Sequence, residues 1–116
     1  MQTETLEKAI KESWDKQTCY PDWANKWTPD NPSLGQCAVT ALVIQDYLEG
    51  ELLYCEHENH YWNRLPNKKE IDFTRDQFPK GTDLCLDEIR SREDILPTIH
   101  QRYNLLKERV KHKLKT

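Results

Sequence analysis

The sequence predicts an α+β fold, a central helix packed on a small antiparallel sheet, on three observations. Residues 36–48 are apolar around nearly the whole circumference of a helix, which places them in the middle of a domain. Three short runs of strand character follow, near 51–55, 60–65 and 70–73, close enough in sequence to pair as hairpins. Ile99, Tyr103, Leu106, Val110 and Leu114 then recur at helical spacing, so a C-terminal helix flanks the core. At 116 residues the chain is one domain, 1–116, large enough to need neither disulfides nor metal for a core.

The elements follow in order. Leu6, Ala9, Ile10 and Trp14 share one helical face, with Glu4 and Glu7 near the start, so an amphipathic helix is expected over 4–16. Residues 17–35 hold Pro21, Pro29 and Pro32 and read as a loop. Tyr20, Trp23 and Trp27 are costly to leave in water, so this loop should pack over the domain, and loops of such length are often functional. Gly50 ends the central helix. Glu51 to Cys55 is a strand, 56–59 a polar turn, and His60–Leu65 with Glu70–Phe73 a hairpin around Pro66-Asn67-Lys68. Arg75 to Phe78 suggests one helical turn closed by Pro79 and Gly81. Residues 83–89 fit an edge strand or a loop. The last helix has Ser91 or Thr98 as cap, with Pro97 predicting a break before residue 98.

Composition narrows the function classes. A net charge of −3 with 32% charged residues implies no general attraction to nucleic acid. The basic run from 101 to 116, with Arg102, Lys107, Arg109, Lys111, Lys113 and Lys115, reads as a solvated helix end complementing its own dipole. Residues 41–60 carry only acids (Asp46, Glu49, Glu51, Glu56 and Glu58). The acidic N-terminus has no apolar run behind it, so neither a signal peptide nor a membrane partner is expected. Cys19, Cys37, Cys55 and Cys85 form no Cys-x-x-Cys pair, which excludes a zinc ribbon or thioredoxin motif. Reduced thiols and a cytoplasmic location are the expectation.

Cys37 carries the sharpest chemical signal. It stands where the turn Asn31-Pro32-Ser33-Leu34-Gly35-Gln36 enters the apolar helix. A thiol there feels the positive end of the macrodipole and unpaired N–H groups, which favour the thiolate. Downstream come His60 at the start of an aromatic strand and Asp72 in the next one. A helix of this length is about 18 Å long, and a five-residue strand returns about 17 Å, so His60 comes back to the Cys37 end. With a three-residue loop, Leu65 faces Lys69, Trp62 faces Asp72 and His60 faces Thr74. His60 and Asp72 then share a sheet face. A two-residue loop would put them on opposite faces.

In that arrangement Cys37 attacks an acyl carbon, His60 takes and returns the proton, and Asp72 orients the imidazole. Oxyanion donors would be the Cys37 N–H with a side-chain amide from Asn31 or Gln36. Trp27 and Trp62 complete the substrate-binding set, core packing being the competing role for Trp62. The expected partner is a peptide or small-molecule substrate, with no cofactor. Two rivals stand beside this. Cys55, His57 and His60 have Cys-x-His-x-x-His spacing and could take Zn²⁺. A non-catalytic module could instead use the Trp23/Trp27 loop and the groove beside Cys37 for binding.

The blocks Lys26-Trp27-Thr28, Asn31 to Leu42, His60 to Arg64 and Glu70 to Phe78 resemble the YunG-like family of small bacterial proteins over about residues 14–80. The same blocks look like a miniature transglutaminase- or papain-type core. That likeness implies a papain-like fold with flanking N- and C-terminal helices and a cysteine hydrolase or acyltransferase activity. Nucleophile, base and orienter would then correspond to Cys37, His60 and Asp72. The chain departs from those enzymes in its short Cys-to-His interval and in having no large second lobe.

Overall fold

A computed structural model describes residues 1–115. Helix α1 (Thr3–Lys11) and helix α2 (Cys37–Leu48) precede strands β1 (Glu51–Cys55), β2 (His60–Arg64), β3 (Glu70–Ile71) and β4 (Glu88–Arg90), and helix α3 (Arg92–Leu114) ends the described chain. All strand pairs are antiparallel, in the order β3-β2-β1-β4. The class is α+β, with a four-stranded antiparallel sheet and helices. Among the described residues no helix is long and apolar enough to cross a membrane.

Helix α2 is central because it is apolar on nearly every side. Val39, Ala41, Leu42, Val43 and Ile44 are all at most 2% exposed. They pack against Leu6 and Ile10 of α1, Leu52 of β1 and Tyr103, Leu106 and Val110 of α3. Asn63 donates its side-chain amide to the Ala41 carbonyl at 3.0 Å, joining sheet to helix. The opposite sheet face buries Leu53, Cys55 and Trp62, with Leu84 against them.

Helix α1 ends five residues earlier than its periodicity predicts. Short polar side chains beyond it capture the backbone. Ser13 Oγ donates to the Ala9 carbonyl at 2.7 Å, Asp15 Oδ1 accepts from the Gln17 N–H at 2.8 Å, and Thr18 Oγ1 accepts from the Asp15 N–H at 3.1 Å. Such local bonds compete with the helical ladder. Trp14 nevertheless stays on the apolar face, its indole N–H donating to Thr40 Oγ1 at 2.9 Å.

The β2–β3 hairpin has the register expected of a three-residue loop. Asn63 pairs with Ile71 and Arg64 with Glu70, and the Leu65 N–H donates to the Lys69 carbonyl at 2.8 Å. Lys68 takes a positive φ of 75°, the left-handed residue that closes such a loop. Strand β3 stops at Ile71, two residues short of the prediction, because Asp72 turns its side chain onto Thr74. The ambiguous 83–89 segment supplies edge strand β4 only from Glu88. Helix α3 begins after Ser91 and runs through Pro97 to a non-helical Ile99 (φ −129°, ψ 17°), so the proline-induced break falls at residue 99.

Candidate functional site

Gly35 sets up the entrance to α2. Its φ is +71°, and a Cβ there would lie 2.6 Å from Cys19 Sγ and 2.9 Å from the Tyr20 nitrogen. Only glycine both turns left-handed and lets the 19–20 backbone pass so close. Gln36 follows as N-cap without a side-chain cap, so the first N–H groups of α2 are left for other partners. Cys37 is half-buried at that end.

His60 arrives by way of a tight turn. Asn59 adopts φ +49°, which Asn tolerates, and its side-chain oxygen accepts from the Tyr54 hydroxyl at 2.8 Å. The Asn59 carbonyl then points at Cys37, whose Sγ donates a long hydrogen bond to it at 3.9 Å. His60, the next residue, is fully buried. Its ring stacks on Trp62 (centroids 5.7 Å apart, planes 15° apart) and meets the edge of Phe78 at 4.8 Å. These two aromatics fix the imidazole in one orientation.

Nε2 of that ring lies 2.7 Å from Asp72 Oδ2. Asp72 Oδ1 accepts from the N–H and the hydroxyl of Thr74, both at 3.2 Å. Burial opposes protonation of His60. The hydrogen bond to Asp72, together with the nearby Cys37 thiol, outweighs it and raises the pKa from 6.5 to about 9. Nδ1 is buried and makes no hydrogen bond. With Nε2 taken by Asp72, it is the ring nitrogen left without a partner.

Cys37 opens onto a cleft with a cavity of about 160 Å³. One wall is Tyr20 and Trp23, packed edge to face at 6.0 Å. They are 41% and 39% exposed, so the loop packs over the domain with these two rings forming the rim of the cleft rather than part of the core. Asn59 and Tyr61 come from the sheet end, Gln77 and Phe78 from the helical turn Arg75–Gln77, and Ile95, Ile99 and Arg102 from α3 on either side of its break.

The side-chain amides expected to receive an oxyanion do not line this cleft. Gln36 is fully buried, its Oε1 accepting from Thr18 Oγ1 at 2.7 Å and its Nε2 donating to the Asp15 carbonyl at 3.0 Å. Asn31 is held in the preceding loop, its carbonyl accepting from the Leu34 N–H. Trp27 also lies off the cleft, its indole donating to the Pro32 carbonyl at 2.9 Å. Trp62 supports the His60 ring and donates to Glu70 Oε1 at 2.8 Å.

The structure offers Gln77 instead. Its Oε1 accepts from the Gly35 N–H at 3.3 Å, and its Nε2 is buried without a partner. No local signal in the sequence identifies it, because its position depends on the Arg75–Gln77 turn returning to Gly35. Among the described residues no cluster of three His, Cys, Asp or Glu side chains could hold a metal. The zinc alternative fails on orientation: Cys55 is buried within the sheet while the His57 side chain is 87% exposed.

Comparison with known proteins is consistent in one direction. The family described as YunG protein matches residues 2–115. "Uncharacterized protein YunG" of Bacillus subtilis (strain 168) is 33% identical over 107 residues, covering 90% of this chain and 88% of its own. No solved structure matches. The chain belongs to the YunG family.

Proposed function

We propose that this member of the YunG family is a cysteine-nucleophile enzyme, a hydrolase or acyltransferase acting on an amide or thioester from a miniature papain-like Cys-His-Asp core. One observation carries the proposal. A fully buried imidazole is held through Nε2 by Asp72, with Nδ1 unpaired, in the company of a half-buried thiol at a helix N-terminus.

The steps follow from those positions. The raised pKa of His60 favours a thiolate–imidazolium pair in which the Cys37 proton rests on His60 Nδ1, and the thiolate attacks the acyl carbon, the carbonyl π electrons moving onto oxygen. Negative charge on that oxygen meets the Cys37 N–H at the start of α2, which the Gln36 side chain does not cap, and Gln77 Nε2, a buried donor with no partner to give up. Collapse expels the amine or thiolate, which receives the proton from His60. Water, or a second nucleophile, then attacks the thioester by the same route in reverse. Asp72 keeps the imidazole oriented throughout.

The test is thiol labelling at neutral pH with iodoacetamide, followed by peptide mapping. Cys37 should be alkylated well ahead of Cys85, the exposed control whose thiol Asp83 pushes up in pKa. His60→Ala should abolish the difference. Labelling of Cys37 no faster than Cys85, and indifferent to His60→Ala, would remove the proposal.

A second reading keeps the cleft and drops the chemistry. The exposed Tyr20–Trp23 wall favours it, since aromatic rims hold peptides and small molecules without reacting. Ligand binding and cellular effect that survive Cys37→Ser would select it.

A further inference from the structure

The arginines of this protein are not equivalent. Arg64, Arg92 and Arg109 hold Glu51, Asp46 and Asp15 at 2.8, 3.0 and 3.0 Å, Arg90 holds Glu88, and Arg75, which does not line the cleft beside Cys37, donates to the Thr82 carbonyl. Arg102 holds no carboxylate among the described residues. Its Nη1 reaches the Thr18 carbonyl at 3.4 Å, and its guanidinium carbon lies 5.9 Å from the Tyr20 ring centre. The side chain is half-buried and lines the same cleft as Cys37. Glu58, the acid on that lining, approaches His57 and makes no ion pair with Arg102. Burial lowers the Arg102 pKa, the cost of keeping a guanidinium partly out of water without an anionic partner.

An unneutralised cation in a concave apolar site is a receptor for an anion, and a guanidinium matches a carboxylate in shape as well as charge. The cavity limits what else can enter: about 150 Å³ of apolar space accommodates a benzene ring, which is nearly the 160 Å³ available here. The surrounding aromatic and isoleucine side chains favour an apolar body over a polar one. Resting on the nucleophile role given to Cys37, we infer that the substrate is a small acyl compound bearing a carboxylate, its apolar part no larger than about one ring, with Arg102 binding the carboxylate.

The experiment compares two alkylating agents that differ in charge. Iodoacetate and iodoacetamide both lose iodide as the Cys37 sulfur bonds to carbon, but only iodoacetate is anionic. The wild-type protein should prefer iodoacetate, relative to a free thiol, by about tenfold, as expected for a charge-assisted contact in a partly dry site. Arg102→Gln should remove most of that preference and Arg102→Lys should retain part of it. Benzoate should protect wild-type Cys37 from iodoacetamide, whereas benzyl alcohol of the same size should not.

The failures separate. Slow labelling of Cys37 by both agents in the wild-type protein removes the nucleophile role and this inference with it. Brisk labelling by both, with an iodoacetate preference that Arg102→Gln leaves unchanged, removes the carboxylate site alone by assigning the preference to the His60 imidazolium. Should Arg102→Gln fail to fold, equal protection by benzoate and benzyl alcohol in the wild type overturns the inference without it.

Discussion

The imidazole of His60 and the carboxylate of Asp72 meet at 2.7 Å through Nε2 and Oδ2, in a place where His60 has no exposed surface. Burial would make the ring less basic, yet Asp72 and Cys37 raise its pKa from 6.5 to about 9. A folded-state pKa above the unfolded one stabilises the fold most below pH 6.5, and that contribution disappears as pH rises through 9. Two and a half pH units correspond to at most about 3 kcal/mol. Denaturant unfolding of the wild type should therefore show stability falling between pH 6.5 and 9. Asp72→Asn should flatten that slope, and a slope unchanged in Asp72→Asn would disprove the pairing as its cause.

Gly35→Ala should destabilise the protein by on the order of 1–3 kcal/mol, the range for a strained non-glycine backbone. Both the left-handed φ and the contacts with Cys19 and Tyr20 oppose a methyl group. Thermal unfolding measures the loss. Gly81→Ala is the comparison, since Gly81 has a φ of +89° but nothing within 4 Å of an added Cβ. It should cost less than Gly35→Ala.

Gln77→Glu keeps the oxygen that accepts from the Gly35 N–H and removes the unpartnered donor. Acylation of Cys37 by p-nitrophenyl acetate passes through an oxyanion, whereas alkylation by iodoacetamide does not. Acylation should fall by about 10²-fold, typical of losing one oxyanion donor, and by more than alkylation falls. Equal losses in the two reactions would show that the variant acts on the thiolate rather than on the oxyanion.

Thr40→Val leaves the buried Trp14 indole N–H without an acceptor. The expected destabilisation is about 1–3 kcal/mol, read from chemical denaturation monitored by tryptophan fluorescence. Thr40→Ser retains the hydroxyl and should recover most of it.

Some of this site is legible in the sequence because local rules govern it. Pro66-Asn67-Lys68 sets the hairpin register, and the register puts His60 and Asp72 on one face. The apolar circumference of residues 36–48 identifies α2 and so brings Cys37 to a helix start. The premature end of α1 is harder to foresee, because periodicity continues to Trp14 while Ser13, Asp15 and Thr18 divert the backbone. Gln77 depends on a tertiary return to Gly35 that no spacing encodes. Arg102 lay within reach of sequence reasoning. Counted along α3, Ile95, Ile99, Arg102 and Leu106 follow one stripe, so the charge interrupts an apolar row instead of belonging to a solvated tail.

Helix α3 both walls the cleft with Ile95, Ile99 and Arg102 and ties down the segment after α1, through Arg109 to Asp15 and Arg102 to the Thr18 carbonyl. During synthesis the Cys37 thiol is made long before residues 92–114, so it stays without their shelter until they emerge and dock. Late assembly of this kind leaves the cleft beside Cys37 without one of its walls until the last helix docks.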